Sequence, residues 1–149
     1  MKTSAASLLL IPLLACLIVL PDTQAVSPPP DGGYPGANTA EGQSALSRLT
    51  SGGFNSAVGF FSLFSNTTGS FNTAVGAGAL DLNTGENNTA TGSGALLLNT
   101  TGLNNTANGT FALLNNSSGT GNIAIGYQAG YALTSGSNNI ELGGFRAGR

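Results

Sequence analysis

Residues 88–104 read NTATGSGALLLNTTGLN, and residues 105–121 read NTANGTFALLNNSSGTG. Laid over each other, both open on Asn-Thr-Ala-x-Gly and close on a polar turn that carries glycine. The same frame runs outward in both directions. An asparagine recurs at Asn38, Asn55, Asn72, Asn88, Asn105, Asn122 and Asn139, with spacings of 17, 17, 16, 17, 17 and 17 residues. Each unit follows Asn-Thr-Ala-Val-Gly-x-x-Ala-Leu-x-x-Asn-Thr-Thr-Gly-x-x. Position five is glycine in every unit: Gly42, Gly59, Gly76, Gly92, Gly109, Gly126 and Gly143. Position three is alanine in the first six units, from Ala40 to Ala124, and position nine is leucine in five, from Leu46 to Leu113. The 16-residue unit lacks one turn residue, leaving Asn83-Thr84-Gly85. Self-similarity at a fixed period marks a repeat architecture.

The period selects the architecture. Helix-pair repeats need more than about 30 residues. Glycine with Asn and Thr throughout also disfavours helix, and glycine is not every third residue as in collagen. Each unit instead reads as two short strands, Asn-Thr-Ala-Val and x-Ala-Leu-x-x, joined by two turns. Glycine in the wide turn is free to take positive φ, and asparagine can bond its own backbone. The expected fold is all-β: a parallel β-roll, or β-solenoid, of about six and a half coils. With strands about 4.8 Å apart it is a rod about 30 Å long. Along the strand, positions two and four face one side and position three the other. The alanines at position three pack closely, against either the coil interior or a neighbouring subunit, and the pattern leaves both open. The recurring asparagine is expected to stack into a side-chain ladder. So few large side chains per coil make a thin core, and small chains with thin cores oligomerise.

Composition narrows the chemistry. Only 7% of the 149 residues are charged, and the chain has no histidine and one cysteine. The usual ligands of zinc or copper are missing, as is the usual general base at neutral pH. Asp81, Glu86 and Glu141 are isolated acids, unlike the Asp-rich repeats of calcium-binding rolls. No enzyme, cofactor or metal site is expected. Four basic residues cannot track a phosphate backbone, so nucleic acid is not an expected partner. Charges stacked in register would repel their copies one coil away. That explains why Glu41 and Glu141, on consensus positions, fall in the first and last units.

Other features have a structural and a functional reading. Phe54, Phe60, Phe61, Phe64 and Phe71 cluster in sequence around one early coil, as a subunit contact, an end plug or a ligand surface. Thr39, Ser56, Thr73, Thr89 and Thr106 share position two, and a flat threonine ladder can bind ice. The Asn-x-Ser/Thr sequons at Asn66, Asn87, Asn99, Asn104, Asn108, Asn115 and Asn116 follow from the repeated Asn-Thr turn, with glycosylation as the other reading.

The N-terminus reads as an export signal over residues 1–25. Lys2 gives a positive start, an apolar run extends from Leu8 to Leu20, and Thr23-Gln24-Ala25 offers a cleavage site. The run is too short for a membrane span. Leu13-Leu14-Ala15-Cys16 also matches a lipoprotein signal, with Cys16 as the lipidated residue. Residues 26–37, VSPPPDGGYPGA, read as a Pro/Gly-rich linker, and the repeat domain is placed at 38–149. No transmembrane segment is expected after the signal.

Asn122-Ile123-Ala124-Ile125-Gly126-Tyr127-Gln128-Ala129-Gly130-Tyr131, with Asn72-Thr73-Ala74-Val75-Gly76, resembles the head repeats of trimeric autotransporter adhesins, the YadA-like head. Similar repeats occur in phage tail-fibre-like proteins. The resemblance runs from Asn38 to about Gly143. It implies a left-handed parallel β-roll, three chains side by side, and a surface-exposed bacterial adhesin that binds host matrix or other cells. The expected function is therefore adhesion from the cell surface or the extracellular space. The alternatives are a segment of an extracellular filament, in which coils of different molecules stack end to end, and an ice-binding solenoid.

Overall fold

The computed structural model describes residues 34–144. The expected signal at 1–25, with Cys16, and the linker up to residue 33 lie outside the described residues. Seven strands form one sheet: β1 (Thr39–Glu41), β2 (Ser56–Val58), β3 (Thr73–Val75), β4 (Thr89–Thr91), β5 (Thr106–Asn108), β6 (Ile123–Ile125) and β7 (Ile140–Leu142). They lie in chain order, and each pairs in parallel with the next. Register follows the repeat: Ala57 pairs Ala74, and Ala90 pairs Ala107. The chain is an all-β parallel solenoid. Tyr34–Ala37 already belong to its edge, since Tyr34 bridges Asn38 and the Gly36 carbonyl accepts from the Phe54 amide at 2.8 Å.

One expectation is corrected. The x-Ala-Leu-x-x segment is not a second strand. The residues at positions seven and nine both take left-handed backbone angles; Phe61 and Leu63 have φ of 54° and 51°, and Phe111 and Leu113 have 59° and 50°. Extended backbone cannot pass through two such residues. The segment is a double bend, and the bend aims the leucine inward. It still bonds coil to coil, through Leu63 N–H to the Ala79 carbonyl at 3.0 Å and Leu96 N–H to the Ala112 carbonyl at 3.0 Å.

The interior settles which way position three faces. Ala57, Ala74, Ala90, Ala107 and Ala124 are fully buried inside the single chain. They meet the leucine column of Leu63, Leu80, Leu96 and Leu113 and the alanines Ala79, Ala95 and Ala112. Apart from Ser62, the rest of the interior is asparagine, in two ladders: one at position one along the whole sheet and one at position twelve over the four middle coils. At position one, the Asn38 Oδ1 accepts from both the backbone N–H (2.8 Å) and the Nδ2 (3.1 Å) of Asn55, and Asn72 does the same on Asn55. From Asn38 to Asn122, each Nδ2 also donates across the coil to a glycine carbonyl, as Asn105 does to Gly119 at 2.8 Å. At position twelve, Asn99 donates to Asn83 and Asn116 to Asn99. Buried amides are tolerated because almost every donor and acceptor has a partner. The expected ladder is present, and the second one was not anticipated.

Position-five glycine is required by the stack. Gly92 has φ of 125°, and a methyl group there would lie 2.6 Å from the Gly109 carbonyl carbon. Backbone rests on backbone at this corner, so only glycine fits. The same holds along the column from Gly42 through Gly59, Gly76, Gly109 and Gly126, whereas Gly143, in the last described coil, meets nothing.

Candidate interaction surface

Inward alanines place their neighbours on the outside. Positions two and four of every strand point away from the core, which leaves one flat outward sheet face. Its chemistry changes along the rod. β1 offers Thr39 and Glu41. β2 and β3 offer Val58 and Val75, both exposed. β4 and β5 offer only Thr89, Thr91, Thr106 and Asn108. β6 and β7 offer Ile123, Ile125, Ile140 and Leu142, with exposed Tyr127 just beyond. Two apolar zones thus flank a polar waist. Scattered exposed apolar residues are ordinary, but a contiguous set on a flat face marks a contact surface. The threonines at position two face outward too, so the hydroxyl row exists from Thr39 to Thr106, with Ser56 in it.

The phenylalanines do not form one cluster. Phe54 and Phe71 occupy position seventeen of successive coils and stack face to face, 5.1 Å between centroids and 3° between planes. Phe60, Phe61 and Phe64 form a separate edge-to-face group past the other end of the strand, with centroids 4.2 and 4.5 Å apart. The Arg48 guanidinium sits 4.3 Å over Phe64. Asp81 lies near this group; burial pushes its carboxyl above the ordinary value, and Arg48 pulls the other way. The sequence placed all five together because they are close in number. The coil separates them because positions seventeen and six to ten turn different corners.

Phe54 and Phe71 carry strain that burial does not offset. Their φ values are 59° and 60°, at a position held elsewhere by Ala37, Asn87, Asn104, Gly121 and Asn138. Left-handed backbone costs an L-residue on the order of 1–2 kcal/mol. The leucines at position nine recover that cost inside the core. Phe54 is 62% exposed and Phe71 56%.

Among the described residues, nothing covers either end of the rod. A 410 Å³ cavity at the first coil is lined by residues that include Tyr34, Leu46 and Leu49. A 480 Å³ cavity at the last is lined by residues that include Tyr131, Leu133 and Glu141. Glu141 stands where every earlier coil has its inward alanine. Among the described residues, no three His, Cys, Asp or Glu side chains gather in a metal-binding group, and no helix is long and apolar enough to cross a membrane. Asn66, Asn99 and Asn116 are buried, so these three sequons are structural, whereas Asn104 and Asn108 are exposed. Compared with family models, curated proteins and solved structures, the chain matches none.

Proposed function

We propose that this chain is a secreted, non-enzymatic β-roll displayed at a bacterial surface, assembled as a homotrimer through its outward sheet face, and acting in adhesion to host matrix or other cells. The observation that carries the reading is the zoned face, with Val58 and Val75 at one end and Ile123, Ile125, Ile140 and Leu142 at the other. Side-by-side packing of parallel copies brings each zone onto its like and removes apolar surface from water. The remaining surface is rigid and repetitive, which suits binding by many weak contacts added together.

The test is mass in solution, followed by binding. Light scattering on the mature chain is expected to give the mass of three copies, and Ile125→Asp to give one. A wild-type monomer at every concentration removes the assembly. Failure to bind any matrix protein or cell above a control removes adhesion. The filament alternative is weakened by Glu141, since end-to-end stacking would bury its carboxylate against an apolar core. The ice-binding alternative draws support from the outward hydroxyl row and is removed if solutions show no thermal hysteresis.

A further inference from the structure

The geometry points to a binding site for a neutral polysaccharide at the Phe54–Phe71 corner, together with the outward side of β1; it rests on the surface-binding reading above and specifies the ligand. Phe71 covers one face of the Phe54 ring. One coil back, the matching position is Ala37, whose methyl group is too short to cover the other face. The result is a ledge: an open aromatic face standing above the lower first coil. Beside it, β1 presents the Thr39 hydroxyl and the Glu41 carboxylate on the outward side. Ser56, paired with Thr39 in the ladder, adds a second hydroxyl.

A sugar ring has an apolar C–H face and a rim of hydroxyls. The first stacks on an aromatic face, and the second bonds to hydroxyls and carboxylates, so the ledge supplies both halves. Unlike the asparagines at this position, which tolerate the left-handed region, the two phenylalanines hold it at a cost that burial does not offset, and such strain collects at functional sites. The ligand's charge follows from the neighbours. Among the described residues the one cationic side chain is Arg48, which is engaged over Phe64 at the other corner. An anionic glycan would meet Glu41 with no counter-charge.

The experiment measures retention of the full chain on insoluble cellulose, chitin and xylan, at low salt and at about 1 M salt, where ionic contacts are screened. Wild type is compared with the double variant Phe54→Asn, Phe71→Asn. Asparagine stands at the same position in later coils with the same φ, so the variant is expected to fold and to melt no lower than wild type. Retention of wild type on at least one polysaccharide at both salts is expected, with a loss of about tenfold or more in the variant. Four outcomes overturn the site: no retention of wild type, equal retention of the variant, retention abolished by salt (a basic partner instead), or a lower melting temperature in the variant (a packing role). Where one of these holds and the wild type still adheres to cells, this site falls and the adhesion reading stands.

Discussion

The inside and the outside of this solenoid alternate along the same three-residue strands, yet they follow different rules. Inward, β1 to β6 carry alanine without exception. Outward, the same strands carry threonine, serine, valine, asparagine, isoleucine or, at Glu41, glutamate. The difference has a physical cause. An interior residue meets its own copy one coil away, above and below, so one steric solution must serve every coil. An outward residue meets solvent or a partner and is free to change. Repetition therefore reports the fold, and departures on the outward face report function.

The most direct way to break the interior is Gly92→Ala. The added methyl would run into the Gly109 carbonyl, and φ at this site is 125°. Neither neighbouring backbone can retreat without disturbing the next coil. A loss of roughly 4 kcal/mol or more is expected, enough to abolish cooperative thermal unfolding followed by circular dichroism. Asn105→Ala is next in size. It removes the side-chain donor to Gly119 and to the Asn88 Oδ1 and the acceptor for the Asn122 N–H, while the backbone N–H of residue 105 keeps its bond to Asn88. The Asn122 N–H is left buried without a partner, at about 1–3 kcal/mol, and two further hydrogen bonds of about 1 kcal/mol each are lost. A drop of roughly 3 kcal/mol in chemical denaturation checks it. A drop under about 1 kcal/mol would show that the ladder is dispensable.

How much of this was legible follows the same division. The period, the glycine column and the first asparagine ladder could be read because each depends on a residue repeating in register. The absent second strand could not. Alanine followed by leucine has no turn signature, and the left-handed angle at Leu63 arises from a bend that buries its side chain. The direction of Ala57 was also hidden, because close packing against a partner and against a core demand the same small residue. The split among the phenylalanines was lost for a third reason. Phe54 and Phe60 are six positions apart in sequence but stand beyond opposite ends of one strand.

The finest test of the comparison lies where an interior column stops. The position-twelve ladder runs through Asn66, Asn83, Asn99 and Asn116 and is bounded by Leu49 and Leu133. Its two ends are not equivalent. Asn66 is satisfied, with its Oδ1 accepting from the Gly69 N–H and its Nδ2 donating to the Gly69 carbonyl. At the other end the Asn116 Oδ1 is buried with no partner. Leu133→Asn would set a donor over that oxygen, as Asn116 does for Asn99. The gain, about 1–3 kcal/mol for pairing a buried acceptor, exceeds the loss of a half-buried leucine, about 1 kcal/mol. A rise in Tm of roughly 4 °C is expected. Leu49→Asn supplies the control. No orphan waits at that end, so the substitution only removes apolar packing, and Tm is expected to fall. If both variants shift Tm in the same direction, the leucines act as apolar plugs alone, and the ladder's direction carries no energetic weight.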